Sequence, residues 1–269
     1  MCIRDRSINK LKEKIMKKRA ILIIDAQNDF VLPSGALSVN GAVEDCDRIA
    51  AFIRKNVDKI SHISLTLDSH HEIHIAHPCF WKDANGNNPT PFSTVTASDV
   101  KQGKWTAQYN PIGALHYLEE LEKNGGVNVI WNPHCILGSE GWAIVDSVMS
   151  AVREWEVANA LPYNLWFKGS NWYTEHFSIF KASVVLPNAP ETNVNHALLS
   201  VLSNYDEVFV VGEAMNYCCL NSIKDINEYA PDLAKKLVIL KDCMSPIGAF
   251  DINTDPIFQE TVRLGGRIA

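Results

Sequence analysis

The sequence predicts an α/β fold of three layers, with helices on both faces of a central, mostly parallel sheet of about six strands. Short apolar runs of strand length alternate along the chain with longer stretches of helical spacing. The run 20–25 is continuously apolar up to its last residue, as in a parallel strand buried on both faces. That run and the next one, 60–68, both end in an aspartate. At 269 residues, the chain can bury one large domain of this class or two small ones.

The strands and helices follow one another in a regular order. Ile49, Ala50 and Ile53 fall near one face of the first long helix, and a later helix ends at Gly125. The predicted strands are 20–25, 60–68, 127–131, 164–169, 207–212 and 236–242. The predicted helices are 42–56, 110–125, 141–159, 194–206, 215–230 and 256–266. Because parallel strands are joined by helical crossovers, these strands are predicted to form one sheet.

Composition excludes two classes of partner. The chain is 46% hydrophobic and 21% charged, as in ordinary globular proteins. Its formal net charge is -6 and no long basic run follows residue 20, so we expect no nucleic-acid partner. No apolar stretch approaches the length that spans a bilayer, so we expect no membrane partner. The seven cysteines include no CxxC pair, which predicts reduced thiols in a cytoplasmic protein.

Residues 16–269 are predicted to form a single domain. The segment "MCIRDRSINKLKEKI" (1–15) is charged and lacks the apolar core of a secretory signal, whereas "MKKRAILIID" from Met16 is typical of a natural start. We therefore expect residues 1–15 to be a non-native or disordered extension. Residues 82–109 are polar and rich in turn formers, which predicts an excursion from the core that serves as a lid or an oligomer contact.

The segment "DSHHEIHIAH" (68–77) suits a metal ion. Asp68 and His70 are two positions apart, so both side chains point the same way on an extended segment. His134, in "WNPHC", is the candidate third ligand. Three protein ligands with open positions describe a catalytic metal site, and surface histidines in a polar loop are the alternative. His74 and His77 are weaker candidates, one of them to support a ligand or to act as a fourth ligand, and a hydrogen-bonded loop histidine is the alternative for each.

Cys218 and Cys219 lie where a predicted strand turns into a helix. Backbone N–H groups and the helix dipole at such a place lower the pKa of a thiol and can hold an oxyanion. Cys219 would point about 100° around the helix from Cys218, away from whatever Cys218 faces. A buried, unreactive cysteine is the alternative for either sulfur.

Asp25 and Lys168 fall at the ends of predicted strands. A carboxylate at the end of a buried strand needs a partner, and accepting the thiol proton is one role for Asp25, with a helix cap as the alternative. Lys168 follows the apolar "LWF", which would bring its ammonium to the same edge to polarise the thiol. A solvated lysine at a strand end is the alternative. Ligands of open parallel sheets bind at the carboxyl ends of the strands, so this edge is the predicted site.

Together these residues resemble the nicotinamidase/isochorismatase-like family of cysteine hydrolases, in its nicotinamidase branch. The matching segments come in the family's order and cover the chain from about residue 18 to its end. They are "AILIIDAQNDF" (20–30), "LDSH" (67–70), "WNPHC" (131–135), "FKG" (167–169) and "VVGEAMNYC" (210–218). The resemblance implies a Rossmann-like α/β fold and an Asp–Lys–Cys triad at Asp25, Lys168 and Cys218.

The resemblance also distinguishes the two adjacent sulfurs. Family members place the nucleophile six residues after the glycine that ends the strand, here Gly212, so Cys218 is the implied nucleophile and Cys219 a packing neighbour. The family's cis peptide maps onto Glu213–Ala214. The amides of Ala214 and Cys218 are the implied oxyanion hole.

Nicotinamidases add a divalent metal ion, usually zinc, iron or manganese. Its ligands map onto Asp68, His70 and His134, and it binds the pyridine nitrogen or water. The aromatic walls that sandwich the ring map onto Phe30 and Trp131.

Several features depart from the family pattern. His74 falls six residues after Asp68, where short family members carry a histidine at the sixth or eighth position. The usual threonine or aspartate before the nucleophile is absent from "EAMNY". The insert 82–109 and the helix 141–159 enlarge the chain. These differences concern the rim of the pocket.

We therefore expect a metal-dependent amidohydrolase that converts nicotinamide into nicotinate and ammonia through a cysteine thioester. A family member acting on another small amide, such as a ureido or carbamoyl compound, is the alternative, and so is a non-catalytic member. The expected partner is a small-molecule amide, and a homo-oligomer is compatible with the sequence.

Overall fold

The computed structural model describes residues 17–269; the expected extension 1–15 and Met16 lie outside this part. The strands are β1 (Arg19–Ile24), β2 (Ile60–Asp68), β3 (Trp81–Lys82), β4 (Thr94–Val95), β5 (Thr106–Ala107), β6 (Asn128–Val129), β7 (Asn164–Lys168), β8 (Glu207–Gly212), β9 (Leu237–Ile239) and β10 (Arg267–Ile268). The helices are α1 (Asn28–Val31), α2 (Ala42–Lys55), α3 (Ala97–Lys101), α4 (Pro111–Lys123), α5 (Asp146–Asn159), α6 (His196–Ser203), α7 (Leu220–Tyr229), α8 (Pro231–Ala234) and α9 (Pro256–Leu264).

A six-stranded sheet forms the centre of the molecule, in the order β10–β9–β8–β1–β2–β7. Every neighbouring pair in this sheet is parallel. The predicted α/β class and the number of strands in the sheet are therefore confirmed. Within residues 17–269, no helix has the length and apolar character needed to cross a membrane.

Helices cover both faces of the sheet because successive side chains of a buried strand point to opposite sides. On β1, Ile21 and Ile23 join the apolar cluster under α2 and α5. The alternate residues Leu22 and Ile24 join the cluster under α6, α7 and α9. Because 20–24 are apolar on both sides of the strand, β1 lies in the middle of three layers.

Residues 75–130 supply most of a third, smaller apolar cluster beside the sheet. Phe80, Trp81 and Val95 are fully buried there against α4, as is Tyr117 of that helix. Two short antiparallel pairs, β3–β5 and β4–β6, connect this region. The segment 82–109 is therefore anchored by its own core next to the central sheet.

The prediction that 127–131 is a strand of the central sheet was wrong. Only Asn128–Val129 is a strand, and it pairs antiparallel with β4. Ile130 is buried in the third cluster, and a short buried apolar run has the same pattern whichever core receives it. The sixth strand is instead β10, two residues long and outside every predicted element.

The helix predicted at 141–159 begins later than expected, at Asp146. The preceding residues are held by the segment after β1, because the Val145 N–H donates to the Ala26 carbonyl at 2.9 Å and the Asn28 N–H donates to the Ala143 carbonyl at 2.8 Å. These bonds keep 143–145 extended.

Gly212 lets β8 and β1 approach each other closely at the carboxyl edge of the sheet. Its φ is +119°, and a Cβ on this residue would lie 1.9 Å from the Ile24 carbonyl oxygen. Only glycine fits such a position without displacing the backbone. The chain can therefore turn at once from β8 into the segment that carries Cys218.

Candidate active site

Asp25, Lys168 and Cys218 meet at the carboxyl edge of the sheet. Asp25 follows β1, Lys168 ends β7, and Cys218 lies in a helical segment after β8. The Lys168 ammonium lies 3.1 Å from Asp25 Oδ2 and 3.6 Å from Cys218 Sγ. All three side chains are at least nine-tenths buried. The structure thus brings together the three residues that the resemblance implied.

Lys168 is shared between two carboxylates. Its Nζ also lies 3.1 Å from Asp68 Oδ1 and donates a hydrogen bond to the His176 carbonyl at 2.8 Å. Burial opposes its charge, but Asp25 and Asp68 outweigh burial and raise the pKa of Lys168 well above its ordinary value. The ammonium therefore stays protonated at the centre of the site.

Burial shifts the pKa of the Asp25 carboxyl and that of the Cys218 thiol in the same direction. Burial raises the pKa of Asp25, against the effect of Lys168. Burial likewise raises the pKa of the Cys218 thiol well above its ordinary value, again opposed by Lys168. A carboxylate with a raised pKa is a stronger base than an exposed one, which suits Asp25 to accept a proton from sulfur.

Thr66 orients Asp25 and was missed by the sequence reasoning. Its hydroxyl donates to Asp25 Oδ1 and accepts from the Asp25 N–H at 3.1 Å. Thr66 lies on β2, the strand next to β1, and the pairing of Ile23 with Leu65 brings it close to Asp25. No local motif marks such a residue in one sequence.

Ala214 and Cys218 line the same cavity, and the Glu213–Ala214 peptide is cis, as the resemblance implied. The Ala214 carbonyl accepts hydrogen bonds from Tyr217 N at 3.1 Å and from Cys219 N at 3.2 Å. These bonds close the turn that carries both cavity-facing residues. The turn is compatible with the implied oxyanion hole.

Cys219 faces the core. Its side chain is fully buried in the cluster under α6, α7 and α9, and it does not line the cavity. Burial raises the pKa of its thiol well above the ordinary value. Packing is therefore the role that its surroundings indicate.

Asp68, His70 and His134 form a buried group of metal-ligand type. One candidate ligand atom from each lies within 4.8 Å of the others. His70 Nε2 is 3.1 Å and His134 Nε2 is 3.7 Å from Asp68 Oδ2. Burial opposes the charge of Asp68, but His70 and Lys168 hold the pKa of Asp68 well below its ordinary value. A permanently ionised carboxylate beside two imidazoles is a suitable metal donor set.

The motif around Asp25 holds these ligands in place. The Gln27 side chain accepts from the Asp68 N–H at 2.7 Å and donates to the Asp68 carbonyl at 2.8 Å. Asp29 Oδ2 accepts from the Cys135 N–H at 2.6 Å, directly after His134. The sequence "DAQNDF" thus fixes the backbone of two candidate ligands.

His74 lies beside the candidate ligands but outside their group. Its ring centroid is 4.4 Å from that of His70. Burial lowers the pKa of His74 well below its ordinary value, so the ring is neutral. Its Nδ1 accepts from the Ala76 N–H at 3.2 Å.

A cavity lies between Cys218 of the candidate triad and the candidate metal ligands Asp68 and His134. Phe30 and Trp131 line it, as expected from the resemblance, and Trp131 meets Tyr217 edge to face at 5.6 Å. The sequence reasoning missed several residues that line the cavity. These are Leu37, Glu175, Phe177, Tyr217 and Ile247. Among them, only Tyr217 could have been identified from the sequence, because it is adjacent to Cys218.

Comparison with known proteins extends this description. No protein-family model matches the chain. The nicotinamidase of Saccharomyces cerevisiae is 26% identical over 230 residues, which cover 85% of this chain and 88% of the yeast protein. The crystal structure of yeast nicotinamidase bound to the inhibitor nicotinaldehyde matches with a TM-score of 0.63 at 20% identity, over 93% of this chain and 98% of that chain.

A third relative is the pyrazinamidase of Pyrococcus horikoshii in complex with zinc. It matches with a TM-score of 0.54 at 19% identity, over 94% of this chain and 98% of that chain. At these identities the structural matches establish the fold.

The chain shares the fold of solved nicotinamidases and resembles the yeast enzyme over most of its length. The family resemblance read from its five ordered segments is thereby confirmed. In sequence and in fold, the chain is therefore similar to nicotinamidases.

Proposed function

We propose that the protein hydrolyses nicotinamide to nicotinate and ammonia through a thioester on Cys218. The observation that carries the proposal is the position of Lys168, within 3.6 Å of Cys218 Sγ and 3.1 Å of Asp25 Oδ2. Cys218 itself lines an aromatic cavity. The similarity to yeast nicotinamidase supports the choice of substrate.

The first half of the reaction forms the thioester. Asp25 accepts the thiol proton, and the Cys218 thiolate attacks the amide carbon, forming the C–S bond. The N–H groups of Ala214 and Cys218 stabilise the negative oxygen of the tetrahedral intermediate. Asp25 then returns its proton to the amide nitrogen as the C–N bond breaks and ammonia leaves.

The second half regenerates the enzyme. A water molecule attacks the thioester carbon, Asp25 accepts a proton from that water, and the C–S bond breaks to release nicotinate. The thiolate then takes its proton back from Asp25. Lys168 stays charged throughout and stabilises whichever of Asp25 and Cys218 is ionised.

We propose that Asp68, His70 and His134 hold a divalent metal ion. The buried atom His70 Nδ1 has no hydrogen-bond partner among residues 17–269, and one oxygen with two nitrogens suits zinc, iron or manganese. When bound, the ion supplies a Lewis acid for a ring nitrogen or a water at the cavity. His74 supports the ring of His70 by contact.

The cavity favours a planar aromatic amide over a ureido or carbamoyl compound. Phe30 and Trp131 are 5% exposed and line its wall, together with Phe177 and Tyr217. Aromatic faces and edges attract a flat ring through dispersion and quadrupole interactions. A small aliphatic amide would leave much of this apolar surface in contact with water.

The remaining expectations are proposals of the same kind. We propose that residues 16–269 act as one domain with 82–109 as an excursion beside the site. We also propose a cytoplasmic location, because the six cysteines in the described part of the chain are free.

Ammonia release from nicotinamide tests the proposed function. Purified protein is assayed before and after chelation, and again after zinc, iron or manganese is restored. His134→Ala should lower bound metal, measured by atomic emission, and should lower kcat/KM at least about 100-fold. The matched control is His71→Ala, an exposed neighbour of the site, which should keep both.

Two results would contradict the proposal. Folded, metal-loaded protein that releases ammonia from a ureido or carbamoyl compound and not from nicotinamide would refute the substrate. Full metal content in His134→Ala would refute the ligand assignment.

A further inference from the structure

Glu213 is a buried carboxyl next to the proposed oxyanion site that the mechanism does not use. It lies between Gly212 and Ala214, is fully buried, and does not line the cavity. Its Oε2 accepts from the Ser245 N–H at 3.2 Å. Its Oε1 is buried and, within the described residues, accepts no hydrogen bond.

Asp45 of α2 supplies a second buried carboxyl, and one of its oxygens also accepts no hydrogen bond within the described residues. Its side chain is 1% exposed and contacts Glu213. Asp45 Oδ1 is paired with Arg48 at 2.6 Å, whereas Oδ2 is buried and, among residues 17–269, has no donor. Two ionised carboxylates only accept hydrogen bonds, so the contact is satisfied when one of them carries a proton.

The surroundings decide which carboxyl holds that proton. Asp45 has Arg48 as a direct ion pair and lies in the first turn of α2, where the helix dipole favours negative charge. Glu213 makes no ion pair in the described part of the chain. Burial raises the pKa of Glu213 well above its ordinary value, and Asp45 raises it further. Glu213 is therefore the neutral partner.

We propose that Glu213 is a positioning residue for the oxyanion site, building on the function proposed above. Its protonated Oε1 donates to Asp45 Oδ2, and its Oε2 accepts from the Ser245 N–H. These two contacts hold the Ala214 amide at the cavity.

The bonds around Ser245 explain how a residue outside the cavity acts on it. Ser245 donates to the Glu213 side chain, and its carbonyl accepts from the Met215 N–H at 2.8 Å. The residues before and after Ala214 are thus both tied to Ser245. The Glu213 N–H also donates to the Ile24 carbonyl at 2.8 Å, which fixes this segment to β1.

Asp45 and Arg48 are the charged side chains that act on the pKa of Glu213. Burial raises the pKa of Cys46 on α2 and of Cys219, and raises that of Cys243 to about 11, so these thiols are neutral at neutral pH. The surrounding acidic side chains Asp47 and Asp242 are not among the groups that shift Glu213.

Two substitutions of Glu213 separate its hydrogen bonds from its volume. In Glu213→Gln, the amide nitrogen can donate to Asp45 and the amide oxygen can accept from Ser245. Glu213→Leu fills the space but leaves both partners unsatisfied. We expect Leu to lower kcat about 10- to 100-fold with little change in KM, and Gln to retain kcat within about threefold, measured by ammonia release.

The pH dependence of stability gives a second readout. Because the folded-state pKa of Glu213 is raised above the ordinary 4.5, folding takes up a proton there, and the free energy of unfolding falls as the pH rises above 4.5. Glu213→Gln removes this dependence. The stability of Gln minus that of wild type should therefore increase with pH, measured by urea unfolding at a series of pH values.

Each result decides the inference. A stability difference that is flat in pH, or a kcat for Leu equal to that of wild type, would overturn it. A loss of kcat in Gln as large as in Leu would also overturn it. Urea unfolding needs no turnover, so it reports on the carboxyl pair even if nicotinamide is not the substrate. If Leu does not fold, Gln and wild type alone give the decisive pH comparison.

Discussion

Cys218→Ala will lack turnover, whereas Cys219→Ala will keep kcat within about threefold of wild type. Cys218 Sγ lies 3.6 Å from the Lys168 ammonium and lines the cavity, so its removal leaves no nucleophile there. Loss of a nucleophile lowers kcat by about 10⁴-fold or more in hydrolases of this kind. Cys219 is fully buried in the core, so its removal costs about 1 kcal/mol of stability through a small cavity.

The measurement is ammonia release at saturating nicotinamide, together with mass spectrometry of rapidly quenched protein. Wild type and Cys219→Ala should carry a nicotinoyl adduct, which peptide mapping should place on Cys218. An active Cys218→Ala, or an adduct on Cys219, would reverse the assignment.

Lys168→Met will lose both turnover and stability. The ammonium lies 3.1 Å from both Asp25 Oδ2 and Asp68 Oδ1, and all three side chains are buried. Removing the shared cation leaves two carboxylates facing each other without compensation, which costs about 3–5 kcal/mol. Loss of the charge that stabilises the thiolate should lower kcat by about 10³-fold.

The matched control is Lys235→Met, which removes an exposed lysine from its surface pair with Asp232. Exposed pairs contribute about 0–1 kcal/mol, so this variant should be close to wild type in urea unfolding and in kcat. Equal effects of the two substitutions would show that the buried pairs at Lys168 are not what stabilises the site.

Patterns along the chain predicted the parts of the fold that depend on local periodicity. The continuous apolar run of β1 identified a central strand because only a strand covered on both faces buries every side chain. The run 127–131 was misassigned because Ile130 is equally buried in a satellite core. β10 was missed because two residues, Arg267 and Ile268, carry no periodicity.

The residues of the candidate site also fall into those that a local pattern identifies and those that depend on the tertiary structure. Asp25, Asp68 and Lys168 were identifiable because each lies at the end of a strand, and the strands of a parallel sheet end at one edge. Thr66 was invisible because its role depends on which strand pairs with β1. Glu175 and Phe177 were invisible because a loop of irregular backbone brings them to the cavity, and no spacing rule describes its path.

The strand that carries Lys168, β7, is an edge strand of the sheet. β7 pairs with β2 on one side, and in the part of the chain that the structure describes no strand covers its other side. Strands held on one side open more readily than central ones. Opening of β7 would withdraw the ammonium from Asp25 while β1 and β8 stay folded. On warming, activity should therefore be lost at a lower temperature than the one at which the whole molecule unfolds. The rate of amide hydrogen exchange of residues 164–168 should correlate with the rate of inactivation more closely than the melting temperature does.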